Sequence, residues 1–285
     1  MRRLSLALCG LAFLALSTGC DSSGTTGTVR VMSQNLYLGA DLFLVANEQD
    51  PNMIPVRVAQ LYGSVQASDP AARMAAVAAE IARVNPDLVG LQEVTTYYVQ
   101  SPGDNLPGAA NTTATTVTFD FLQLLLDALA DEGVSYTVAA RADNADVEFP
   151  ATTDGMTFFD VRYRDADVIL ARSDVQTSGA VNQEFQTVLT IPVGGVDQTF
   201  TRSYQSVNAT VDGFPLTFFN THLEVGGPAE PIQRIQAAEL ATEVRDTGGS
   251  VILVGDINSD GNTGGTSYQD LTVLLRDAFP VGSAA

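Results

Sequence analysis

Between Thr199 and Val254 the chain passes from a hairpin pattern to a helix-crossover pattern, and few folds accommodate both. Thr199 to Val211 and Phe214 to Leu223 are rich in β-branched and aromatic residues. Asp212-Gly213 joins them, and that dipeptide suits a tight hairpin turn, so an antiparallel pair is expected. Glu230 to Arg245 then carries Ile232, Ile235, Ala238 and Leu240 at helical spacing, and Gly248-Gly249 ends it. Val251 to Val254 follows as an unbroken apolar run, the pattern of a strand covered on both faces. Hairpins mixed with strand-helix units imply an α/β protein with a mixed sheet.

The remaining chain fits that class. Val29 to Leu36, Asp87 to Val94, Tyr136 to Arg141 and Asp167 to Arg172 read as strands. Pro70 to Val84 reads as a helix, with Asp69 as its cap and Met74, Val77, Ala78 and Ile81 on one face. Thr118 to Ala130 repeats the pattern through Phe121, Leu122, Leu125 and Leu129, and Tyr268 to Ala278 makes a last helix. Ala46 to Ser68 and Gln100 to Thr116 read as irregular connections.

Arg2 and Arg3, the apolar run Leu4 to Leu16, and Ser17 to Cys20 have the layout of an export signal. The run is shorter than the ~20 residues that span a bilayer. Cys20 after Thr18-Gly19 resembles a bacterial lipobox, whose cysteine is acylated; an ordinary secretory signal with a chance cysteine is the alternative. Residues 1–19 are thus expected to be a lipoprotein signal peptide, 20–28 a flexible Gly/Ser/Thr tether, and 29–285 one folded domain. The expected location is outside the cytoplasm, lipid-anchored to a bacterial membrane on its periplasmic or cell-surface side.

Cys9 and Cys20 are the only cysteines, so the domain has no disulfide and depends on core burial. Every cation is an arginine. Without Arg2 and Arg3, 12 of the 14 remain against 33 acidic residues, a net charge of −21. Such a surface repels polyanions at long range unless cations are bound.

Four segments place polar groups just after apolar runs: Ser33-Gln34-Asn35-Leu36, Leu91-Gln92-Glu93-Val94, Phe219-Asn220-Thr221-His222-Leu223-Glu224 and Gly255-Asp256-Ile257-Asn258. Singly, each is as well explained by a turn or a helix cap. Together and in this order they resemble the endonuclease/exonuclease/phosphatase superfamily, which includes DNase-like nucleases, bacterial sphingomyelinases and inositol polyphosphate 5-phosphatases. The resemblance runs from Val29 to about Phe279, and the opening Gln34 to Asp41 is similar to a bacterial branch.

The resemblance implies a four-layered α/β/β/α sandwich of two mixed sheets flanked by helices. It also implies a hydrolase of phosphodiester or phosphomonoester bonds using metal-activated water. Glu93 would be the main ligand of Mg²⁺, or of another divalent cation such as Mn²⁺ or Ca²⁺, with Asn35 beside it; such ions take one or two carboxylates, waters and substrate phosphate. Asp256 would orient the attacking water and Asn258 would hold the phosphate. His222, the only histidine, would donate a hydrogen bond or proton, with a pKa raised above ~6.5 by bound phosphate.

Family members end in a Ser-Asp-His segment that this chain lacks; the 27 residues after Asn258 contain no histidine. The expectation is a C-terminally incomplete domain without its last strands and with impaired activity. A non-catalytic exported binding lipoprotein on the same scaffold is the rival. The expected substrate is nucleic acid or a phospholipid head group, with the membrane reached through the anchor and no protein partner. Arg162 and Arg164 form a local cationic cluster, suited equally to gripping phosphate or to pairing with Asp165 and Asp167 at a solvated edge.

Overall fold

The computed structural model describes residues 28–104 and 112–278; the signal segment, Cys20 and the tether up to residue 27 lie outside them. In chain order the strands are β1 (Val31–Asn35), β2 (Leu88–Gln92), β3 (Thr96–Gln100), β4 (Thr116–Asp120), β5 (Tyr136–Ala151) and β6 (Phe159–Arg172). They continue as β7 (Gln176–Glu184), β8 (Leu189–Val193), β9 (Val196–Phe200), β10 (Ser203–Val211), β11 (Phe214–His222) and β12 (Val251–Asp256). The helices are α1 (Phe43–Ala46), α2 (Ile54–Ala67), α3 (Pro70–Val84), α4 (Phe121–Asp131), α5 (Glu230–Thr247) and α6 (Thr266–Thr272).

Two mixed sheets form. The first has the order β1-β2-β6-β3-β4, with β5 also on β6; β1 and β2 are parallel and the other pairs antiparallel. The second has the order β12-β11-β10-β7, with β11 and β12 parallel across the α5 crossover and β10-β11 closed by Asp212-Gly213. Leu88, Ile169 and Ala171 of the first sheet pack on Val207, Ala209 and Phe218 of the second. Met74 and Ile81 of α3 and Leu125 of α4 cover the outer face of the first sheet with Leu91, Val168 and Leu170; Leu240 and Val244 of α5 cover the second over Phe219. The layers are therefore α/β/β/α, as the resemblance implies.

Gly90 in β2 sets how closely the sheets approach. A Cβ there would stand 2.5 Å from Asn220 Oδ1 and from Val254 Cγ2, both on the facing sheet. Into that gap Gln92 Nε2 donates to Asn220 Oδ1 (2.6 Å), while Asn220 Nδ2 donates to Leu91 O (3.0 Å) and Gln205 Oε1 (2.9 Å). Buried amides need such partners, and these also pin one sheet against the other.

Three local expectations are corrected. Ala46 to Ser68 is mostly helix, because Ile54, Val58, Leu61, Tyr62 and Val65 all bury one face of α2 behind Pro55. β5 and β6 extend far beyond the stretches expected, pairing from Tyr136↔Arg172 to Ala151↔Phe159 through two register shifts. The run from Thr199 breaks at Thr201-Arg202: residues 196–200 close a separate hairpin, β8–β9, whose Gly194-Gly195 turn has φ of 60° and 83°. Two successive positive φ values define the turn type that matches strand twist, and glycine adopts them freely.

Candidate active site

Parallel pairing levels the strand ends. Asn35 stands opposite Gln92 and His222 opposite Asp256, so β1, β2, β11 and β12 deliver their polar residues to one edge. There Asn35 Nδ2 donates to Glu93 Oε1 (2.9 Å) and to Asp256 Oδ2 (3.1 Å), so the two carboxylates meet on one nitrogen. The turn after β1 fixes the amide's orientation. Tyr37 N–H donates to Asn35 Oδ1 (2.8 Å) and Leu38 N–H to Glu93 Oε2 (2.6 Å).

The backbone around this edge is strained. Tyr37, Glu93 and Asn258 have φ of 58°, 55° and 49°, a left-handed region that non-glycine residues occupy at a cost and mostly where surroundings force them. Arg73 supplies part of the force: its Nη1 donates to Leu36 O (2.6 Å) and Tyr37 O (2.8 Å), and its guanidinium lies 5.4 Å from the Tyr37 ring centre.

Two carboxylates sharing one neutral amide leave negative charge uncompensated. Among the described residues, neither Glu93 nor Asp256 has an arginine at ion-pair distance. A hard oxygen donor set with excess negative charge suits a hard divalent cation. The oxygen of Asn35 already accepts from Tyr37 and keeps its second lone pair.

Asn258 is tied into the same edge. Its N–H donates to Asp256 Oδ1 (2.9 Å) and its Nδ2 to Leu223 O (2.9 Å), while its carbonyl accepts from Gln233 Nε2 (2.8 Å). One amide proton and the side-chain oxygen are left for a ligand.

His222 is only 2 % exposed. Arg202 Nη1 lies 3.0 Å from its Nδ1 and 3.4 Å from its Nε2; a guanidinium can only donate, so the shorter contact assigns Nδ1 as the accepting nitrogen and the proton to Nε2. Burial first, and the Arg202 charge second, hold the imidazole well below its ordinary pKa of 6.5. Asp167 Oδ1, 3.9 Å from Nδ1, does not offset this. Burial, with Asp165 beside it, pushes Asp167 well above the carboxylate range. The ring is therefore a neutral hydrogen-bond donor in the free protein; the raised pKa expected from sequence concerns the state with phosphate bound.

Arg202 was not singled out in the sequence, yet it organises this region. Burial lowers its pKa, but Glu224, Asp165 and Asp167 outweigh that and keep it charged; Glu224 Oε1 lies 3.5 Å from Nη2. Asn144 joins the cluster by donating to Asp167 Oδ2 (2.8 Å) and accepting from Ser203 Oγ (2.7 Å). Burial raises Asp165 to about 6. The available signal was Thr201-Arg202-Ser203, a polar break in a β-rich run.

Arg162 and Arg164 do not reach this edge. Arg162 forks onto Asp146 (2.7 and 2.6 Å) and Arg164 pairs with Asp143 (3.3 Å), across the β5–β6 ladder. Strand alternation turns Asp165 and Asp167 to the other face, so they are not the partners. A second carboxylate group, Asp104, Glu148 and Asp160, brings ligand atoms within 4.8 Å of one another and could hold a cation. Asp160 lies five residues before Asp165 on β6, about 17 Å at ~3.3 Å per residue, so this group is separate from the Glu93 edge.

Beside the Glu93 edge opens a cavity of about 280 Å³ with mostly apolar walls, whose polar end is formed by Glu93, Arg202, His222, Glu224 and Asn258.

A model described as Endonuclease/Exonuclease/phosphatase family matches residues 32–273. Among curated proteins no match is found. Similar solved structures include TDP2 from Caenorhabditis elegans, at 20 % identity over 67 % of this chain and 43 % of that one, with a TM-score of 0.37. A Bacteroides thetaiotaomicron mannosyl-6-phosphatase shares 17 % identity over 86 % of this chain and 70 % of its own, with a TM-score of 0.48. An endonuclease/exonuclease/phosphatase family protein from the same species shares 17 % over 86 % and 68 %, with a TM-score of 0.49. The chain thus spans under half of the nematode protein and about two thirds of the bacterial ones.

Proposed function

The chain belongs to the endonuclease/exonuclease/phosphatase family, and from that premise we propose that it hydrolyses a phosphoester at the edge shared by Asn35, Glu93 and Asp256. The observation that carries this reading is the single amide nitrogen on which the two carboxylates meet. Glu93, with Asn35 beside it, would hold a divalent cation, Mg²⁺ in the first instance, and that ion would supply neutralisation of the phosphoryl charge.

Asp256 orients the attacking water and draws off its proton. The water oxygen joins phosphorus, the ester P–O bond breaks, and the departing oxygen takes a proton from solvent. Asn258 holds a phosphoryl oxygen through its remaining amide proton. His222 donates a hydrogen bond from Nε2 as charge develops; its depressed pKa makes it act as a neutral donor, since the neutral ring keeps its one N–H near neutral pH.

The test is hydrolysis of bis(p-nitrophenyl) phosphate by the full chain in Mg²⁺. Turnover should fall ~10²-fold or more in Glu93→Gln with folding unchanged. Turnover that ignores this substitution, or cation binding with no turnover at all, overturns the reading, and the latter result supports a binding protein instead. Acylation of Cys20 is part of the proposal and predicts a lipid-sized mass increment on the N-terminal peptide; an unmodified peptide refutes it.

A further inference from the structure

Resting on the hydrolase reading, we propose that the substrate carries an alkyl or aryl group, and that the cavity beside the Glu93 edge receives it while the phosphoester lies against Glu93 and Asn258.

Size and lining support a hydrocarbon guest. At about 280 Å³ the cavity is nearly twice the ~150 Å³ of an apolar protein cavity that stays dry and binds benzene. Leu42 and Val45 from the α1 side, Ile191 and Val193 of β8, Phe200 of β9 and Phe149 of β5 are among its walls. Such walls offer nothing to read the polar edges of a base, whereas each buried methylene gains ~0.8 kcal/mol.

The mouth points the same way. Tyr37 and Phe43 both line it and are each 52 % exposed, an aromatic pair where an organic group would enter. Tyr37 is held there against backbone strain, at φ 58° and under Arg73, and such strain persists where surroundings impose it for a purpose.

Charge argues against a polynucleotide. Among the described residues lining the cavity, Arg202 is the one cation, and it is already engaged by Glu224 and His222. Tracking a nucleic-acid backbone takes a groove of free cations, and this chain has a net charge of −19. A single phosphoester with a hydrocarbon tail needs only the metal edge and the cavity.

The experiment measures calorimetric Kd for methyl, butyl and octyl phosphate on the full chain in Mg²⁺, together with their inhibition of bis(p-nitrophenyl) phosphate hydrolysis. Three added methylenes at ~4-fold each should tighten butyl over methyl phosphate by up to ~60-fold, with a smaller gain per carbon to octyl as the cavity fills. Phe43→Ser, at an exposed position, should weaken butyl phosphate several-fold and leave methyl phosphate unchanged. Ile191→Trp, which fills the cavity, should abolish the chain-length gain; should that variant fail to fold, Phe43→Ser decides. Tighter butyl binding without any turnover sinks the hydrolase reading and leaves the apolar site standing. Equal affinity for methyl and butyl phosphate overturns the inference whatever the turnover, as does an oligothymidylate hydrolysed faster than a butyl phosphodiester.

Discussion

Replacing His222 with glutamine should remove a specific acid sensitivity from the protein. The folded imidazole has a pKa well below 6.5, so as pH falls past 6.5 the unfolded chain takes up a proton that the folded chain refuses. The stability His222 contributes is fully present above 6.5 and is lost as pH drops towards the folded pKa. Asp165, raised to about 6, and Asp167, raised further, act in the opposite sense: their contribution is full below ~3.8 and is lost as pH rises through the folded values. The wild-type curve is the sum of these, and only its difference from His222→Gln isolates the histidine. With an unfolded pKa of ~6.5, that difference amounts to about 1.4 kcal/mol between pH 7.5 and 5.5. At an m-value of ~3 kcal/mol per molar urea, the wild-type midpoint should fall by about 0.5 M relative to the variant over that interval. Urea unfolding followed by far-UV circular dichroism at four pH values measures it. Parallel curves for the two proteins would show that His222 titrates normally, and the argument from burial and Arg202 would be refuted.

Two further substitutions probe the frame around the site. Gly90→Ala puts a methyl 2.5 Å from Asn220 Oδ1 and Val254 Cγ2; prising the sheets apart should cost about 1–3 kcal/mol in chemical denaturation. Arg202→Met leaves Glu224 buried without its cation, which should cost about 3 kcal/mol or more, and should move the His222 pKa, followed by NMR, upward towards 6.5.

The order of polar segments after apolar runs carries the resemblance that implies the layers, and Asn35, Glu93 and Asp256 meet because parallel strands that end together bring their next residues together. Cues that compete locally were harder to read. In β6, Arg162, Arg164, Asp165 and Asp167 read as one solvated edge until pairing with β5 shows two faces, one solvated and one buried. The hairpin β8–β9 was missed although Gly194-Gly195 marks its turn, since its second strand runs almost unbroken into the next. For Arg202 the sequence offers only the polar break Thr201-Arg202-Ser203, because a lone arginine reads as surface until tertiary packing places carboxylates around it. The neutral state of His222 depends on the same packing.

The hairpin β8–β9 belongs to neither large sheet; it meets the sandwich where Thr201 N–H donates to Asn144 O (3.2 Å) and where it rests beside α1. One wall of the cavity is thus a hairpin outside both sheets, tied to the core by Val193 and Ile191, while the carboxylates stand at the ends of the sheet strands. Changes to the exposed positions of that hairpin leave untouched the strand register that aligns Asn35, Glu93 and Asp256. A laboratory library over residues 189–200 that keeps Val193 should accordingly yield folded proteins with altered guests, because the wall can change while the carboxylate edge stays fixed.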